Sequence, residues 1–127
     1  MITGVVYGDE GRIRLKVRGP HGSEQEVVAV IDTGYTASLS LPPPLIAALG
    51  LQWRSVDRGT LADGSERLFN FYEAIVVWDG KPRHVLVSEA GTDPLVGMHL
   101  LRNHELKMQI RNRGKVTITP LAKKRPR

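Results

Sequence analysis

The stretch Val27-Val28-Ala29-Val30-Ile31 is apolar at every position and stops abruptly on Asp32. An unbroken apolar run of this length, rich in β-branched residues, predicts a strand covered on both faces. A carboxylate at the end of such a strand sits where water is scarce. Burying a lone charge is costly unless the group is paired, hydrogen-bonded or protonated. The residues that follow, Thr33 and Gly34, are small, and Gly34 lets backbone amides approach the carboxylate closely. Perturbed carboxylates of this kind gather at functional sites. The bland alternative is an Asx-type turn closing a strand, where Asp and Gly are common for local reasons.

The rest of the chain repeats with period two between turn signals. Arg12-Ile13-Arg14-Leu15-Lys16-Val17-Arg18 alternates strictly and predicts a strand with one wet face, turned by Gly19-Pro20-His21-Gly22. Ser38 to Leu41 alternates again and ends at three prolines. Pro44 then opens a short helix, Leu45 to Leu49, with Gly50 at its C-terminal cap. Strands are expected from Val56 to Leu61 and from Arg67 towards Trp78, joined by the polar turn Ala62-Asp63-Gly64-Ser65. Asp79-Gly80 is a hairpin signal, and His84 to Val87 is its return strand, with Pro82 tolerable near the start. A second short helix is expected at about Met98 to Asn103. The alternation of Leu106, Met108 and Ile110 predicts another half-wet strand, and Val116 to Ile118 the last one. Trp53, Phe69, Phe71, Tyr72 and Trp78 are read as core aromatics. The sum is an all-β fold, a small closed β-barrel with one or two short helices. It forms one domain over residues 1–120, followed by a tail over 121–127.

Composition narrows the chemistry. The 127 residues contain no cysteine, which excludes disulfides, thiolate nucleophiles and cysteine-based metal sites. His99 and His104 do not share a helix face, and His21 and His84 stand alone, so no metal or other cofactor is expected. Ser38 and Ser40 match no nucleophile elbow. No apolar run approaches the roughly 20 residues that span a bilayer. The first residues resemble no signal peptide, so a soluble, cytoplasmic protein without membrane contact is expected. The net charge of +5 is partly due to Lys123, Lys124, Arg125 and Arg127 in the tail. The tail is read as a solubilising terminus, and nucleic acid is not expected as a partner.

One constellation spans the chain. Val30-Ile31-Asp32-Thr33-Gly34, then Asp63-Gly64 between two strands, then Leu95-Val96-Gly97 opening a short helix follow one another in order. In sequence and spacing they resemble the retropepsin-like aspartic proteases. The resemblance implies that Asp32 is the catalytic carboxylate and that Thr33 and Gly34 support its loop. Ala62, Asp63, Gly64 and Ser65 would form a flap tip over substrate. Leu95, Val96 and Gly97 would be the family's hydrophobic-hydrophobic-Gly element. Leu41, Leu61 and Val96 could line the cleft, but each suits the core better.

Metal-free peptide hydrolysis needs one group to activate water and another to protonate the substrate. Two carboxylates sharing a proton supply both. The chain holds one Asp-Thr-Gly, so the family solution is a homodimer with Asp32 facing its symmetry mate. The partners implied are therefore a second copy and an extended peptide or protein substrate. Tyr35 departs from the family, where a small residue follows the glycine. It leaves open a rival in which the fold serves as a catalytically silent dimerisation or peptide-binding module.

Overall fold

The computed structural model describes residues 1–91 and 93–122. Lys123, Lys124, Arg125 and Arg127, on which the tail reading rests, lie outside the described residues. Among the described residues the fold is all-β with two short α-helices. In order come β1 (Ile2–Tyr7), β2 (Glu10–Arg18), β3 (Glu24–Ile31) and β4 (Leu39–Leu41), then helix α1 (Pro43–Leu49). The hairpin strands β5 (Gln52–Thr60) and β6 (Glu66–Trp78) follow, and then β7 (Lys81–Glu89) and β8 (Leu95–Val96). Helix α2 (Met98–Leu101), β9 (His104–Met108) and β10 (Lys115–Pro120) complete the described chain.

The strands join into one sheet in the order β5-β6-β7-β4-β8-β3-β2-β1-β10-β9. An extra pairing of β2 with β6 bends this sheet into a ring running β2-β3-β8-β4-β7-β6 and back to β2. That closure is short: Lys16, Val17 and Arg18 face Val77, Val76 and Ile75. The inward positions of the alternating strands fill the ring. Ile13, Leu15 and Val17 of β2 are buried with Val76 of β6, Val87 of β7 and Leu39 and Leu41 of β4. Leu100 and Leu101 of α2 and Ile46 and Leu49 of α1 add to the same core.

Helix α1 obeys its local signals, with prolines in the first turn and Gly50 left-handed at the end, where its amide meets the carbonyl of Ala47. Five expectations need correction. Nothing in the periodicity predicts β1, which fills the edge of β2 beside Gly11–Ile13 and pairs on its other side with β10. Strand β3 is covered on one face only. Val28 lies opposite Arg14 on the charged face of β2 and is 49% exposed. Strand β9 ends at Met108, leaving Ile110 exposed beyond it, and α2 stops at Leu101. Among the aromatics, Trp78 is buried, whereas Phe69, Phe71 and Tyr72 are half-buried and Trp53 is 58% exposed on the hairpin. No helix among the described residues is long and apolar enough to cross a membrane.

Candidate active site

Asp32 is the first residue after β3. Its position is set by strands distant in sequence. Strand β8 runs parallel to β3, with Val30 beside Leu95 and Ile31 beside Val96. The amide of Asp32 donates to the carbonyl of Val96 at 2.9 Å, one step beyond this ladder. On its other side β8 pairs with β4, so Leu95-Val96 is wedged between the strand that enters the Asp-Thr-Gly loop and the strand that leaves it.

Gly97 continues the wedge. Its amide donates to Ser38 at 2.9 Å, and the amide of Met98 donates to Tyr35 at 2.8 Å. A Cβ at Gly97 would lie 2.1 Å from the carbonyl oxygen of Ala37 and 2.6 Å from that of Tyr35. Only a glycine fits between loop and helix there. The structure thus brings together two of the sequence-predicted elements, Asp32-Thr33-Gly34 and Leu95-Val96-Gly97.

Within the loop, the carboxylate accepts a hydrogen bond on Oδ1 from the Gly34 amide at 2.9 Å, and the Tyr35 amide closes a turn onto the Asp32 carbonyl. Asp32 is half-buried, while Thr33 and Gly34 are exposed. The carboxylate is therefore less enclosed than the apolar run before it suggested. Burial at the strand end falls on the backbone and on Ile31, and the loop lifts the side chain towards the surface.

Tyr35 folds back into the body. Its hydroxyl meets Ser88 Oγ of β7 at 2.5 Å and donates to the carbonyl of Leu39 at 3.3 Å. Burial raises the phenol above its ordinary range, against the opposing pull of the Ser88 hydrogen bond. Ser40, also buried, donates to the carbonyl of Ala90. The loop is thus stitched to β7 as well as to β8.

Ala62 to Ser65 form the tip of the β5–β6 hairpin, as the turn signal predicts. The Leu61 amide donates to Ser65, and the Gly64 amide to Leu61. Asp63 Oδ1 accepts from both the amide and the hydroxyl of Ser65, and these bonds hold its carboxyl below the usual range. The tip is exposed throughout, Leu61 included. Its described hydrogen bonds all close within the hairpin and none reaches Asp32. Leu41 and Val96 are wholly buried and belong to the core instead of a cleft wall.

Sequence reasoning missed a cavity of about 450 Å³ beside the loop, lined by Thr36 to Ser38, Phe71, Glu73, Arg83 to Leu86 and His99. Asp32 is not among its lining residues. No local motif marks it, because its walls come from four separate stretches of chain. A scan of protein-family models gives no match to this chain, and neither does a comparison with curated proteins.

Proposed function

We propose that this chain is the subunit of a retropepsin-like aspartic endopeptidase, its strand ring serving as the family's barrel, and that it is active as a homodimer. The observation that carries the reading is the Asp-Thr-Gly loop, presented at the surface and held from behind by Leu95-Val96-Gly97. A half-buried carboxylate with one oxygen fixed by a backbone amide suits a group that must face a symmetry mate and share a proton with it. The ionised carboxylate of the pair takes a proton from water as the water oxygen bonds to the peptide carbonyl carbon. The protonated partner gives its proton to the carbonyl oxygen. Collapse of the tetrahedral diol then breaks the C–N bond, with a proton passed to the leaving amine. No metal or organic cofactor enters these steps.

The β5–β6 hairpin supplies the flap in this reading, closing over an extended peptide and offering it main-chain bonds. Cytoplasmic action is part of the same reading. Tyr35 is the residue that favours a silent binding module, since its bulk follows the glycine directly. Its phenol, however, is engaged with Ser88 and Leu39 and so is held inside the subunit.

The test is cleavage of a peptide library between about pH 4 and about pH 7 by wild type and Asp32→Asn. Wild type is expected to cut best towards acid. The variant should retain its fold and self-association while losing at least ~1000-fold in rate. Full cleavage by Asp32→Asn, or a strictly monomeric active enzyme, defeats the proposal. A dimer that binds peptides and never cuts them establishes the silent module instead.

A further inference from the structure

The cavity beside the loop has a chemical character that the proposed hydrolysis does not explain. One wall is the face of β6 and β7 on which Phe71 lies opposite Ser88, Glu73 opposite Leu86 and Ile75 opposite His84, whereas Arg83, opposite Val76 on the other face, reaches the cavity from the side of α2. Ser88 on that face bonds Tyr35, so the face is turned to the segment that follows Asp32. Phe71 and Leu86 give the cavity an apolar wall, whereas Arg83, His84 and His99 give it nitrogen donors.

Arg83 donates to the carbonyl oxygens of Leu100 at 3.0 Å and His99 at 3.4 Å. Those two bonds hold the guanidinium in place while leaving N–H groups of its five to spare. Among the described residues no carboxylate pairs with Arg83. The one carboxylate in the cavity wall, Glu73, is engaged by Arg54 at 2.7 Å. The cavity therefore joins an apolar wall to a fixed cation that, among the described residues, no carboxylate pairs.

Building on the endopeptidase reading, we propose that this cavity is a specificity subsite that takes an acidic side chain, Glu or Asp, of an extended peptide. The methylenes of the side chain lie against Phe71 and Leu86, and its carboxylate accepts hydrogen bonds from Arg83. A charge-assisted, partly bidentate contact of this kind discriminates a carboxylate from its amide isostere because the amide adds no charge and wastes a donor against a donor.

The experiment uses Asp32→Asn protein, which binds without cutting, and pairs of fluorescent peptides differing by Glu against Gln at one position. At one fixed position the Glu peptide should bind about tenfold tighter. Arg83→Met should bring the ratio close to one, and Glu73→Gln should widen it by removing a negative charge from the cavity wall. Equal affinity at every position, or a Glu preference that survives Arg83→Met, overturns the subsite. If Arg83→Met does not fold, Glu73→Gln decides, and an unchanged ratio overturns it. A Glu preference that depends on Arg83, in a protein whose wild type cuts no peptide, keeps the subsite and removes the endopeptidase.

Discussion

The loop after Asp32 and the tip of the β5–β6 hairpin are both short turns of small and polar residues, and they are held in opposite ways. The loop exchanges hydrogen bonds with β8 and the start of α2, and through Tyr35 with β7. Among the described residues the tip bonds only within the hairpin, and the backbone of β6 from Glu66 to Asn70 is paired only with β5. In the hairpin the Phe69 ring lies over Gly59, where a Cβ would come within 2.7 Å of it, so even the packing there is internal. Over-determined geometry suits a group that must be placed to a fraction of an ångström. A ribbon free of the body suits one that must open and close.

The comparison breaks first at Gly97. Gly97→Ala forces a methyl into the carbonyls of Ala37 and Tyr35, and should lower stability by about 3 kcal/mol in denaturant unfolding. If the proposed function holds, peptide cleavage should fall by more than the loss of fold, since the loop must shift. Stability and activity equal to wild type would show that the wedge is not what holds the loop.

Tyr35→Phe should cost less, roughly 1–2 kcal/mol, because it leaves the buried Ser88 hydroxyl without its partner. Pairing it with Ser88→Ala in a double-mutant cycle sharpens the estimate, and additive losses would contradict a direct bond. The phenol also carries a pH signature. Its folded value lies above its unfolded one, chiefly through burial, so the contribution to stability is complete below the ordinary phenol value of 10.0. It is lost as pH rises through the raised folded value, and Tyr35→Phe should remove that alkaline limb from the unfolding curve.

Amide exchange tests the contrast without mutation. The amides of Gly97 and Met98 should exchange at least ~100-fold more slowly than that of Gly64. Similar rates would mean that the hairpin is as fixed as the loop. The smallest effect is expected at the tip. Ser65→Ala removes the hydroxyl bond that contributes most to the low Asp63 value, so the Asp63 carboxyl should titrate closer to its ordinary range by NMR. Its charged form is the one favoured by folding, so the gain is present above the unfolded value and fades as pH falls through the folded one. Thermal stability near neutrality should hardly move.

Features encoded by neighbouring residues were legible. Strand β2, helix α1 with its Gly50 cap and the hairpin turn at 62–65 follow from alternation, proline placement and glycine in turns. Leu95-Val96-Gly97 could be singled out from its order relative to Asp32, and the structure places it against the loop. What escaped depends on partners far along the chain. Strand β1 has Gly4 in its middle and little alternation, and it owes its existence to the open edges of β2 and β10. Val28 looks like core until Arg14 is seen across from it, and Trp53 looks like core until its hairpin is seen to leave the body. Tyr35 reads as an intrusion until Ser88 is found opposite, and the Arg83 cavity has no linear trace at all.

The wedge of β8 between β3 and β4 also sets a time, not only a place. Asp32 lies near the start of the chain, while Val96 and Gly97, which fix its backbone, lie about sixty residues further on. Parallel pairing of β3 with β8 and of β4 with β7 closes long loops, and such contacts form late. During synthesis the carboxylate leaves the ribosome well before the segment that positions it. A nascent chain therefore carries an Asp-Thr-Gly without its geometry, and whatever that carboxylate does begins only when the chain has been made past α2.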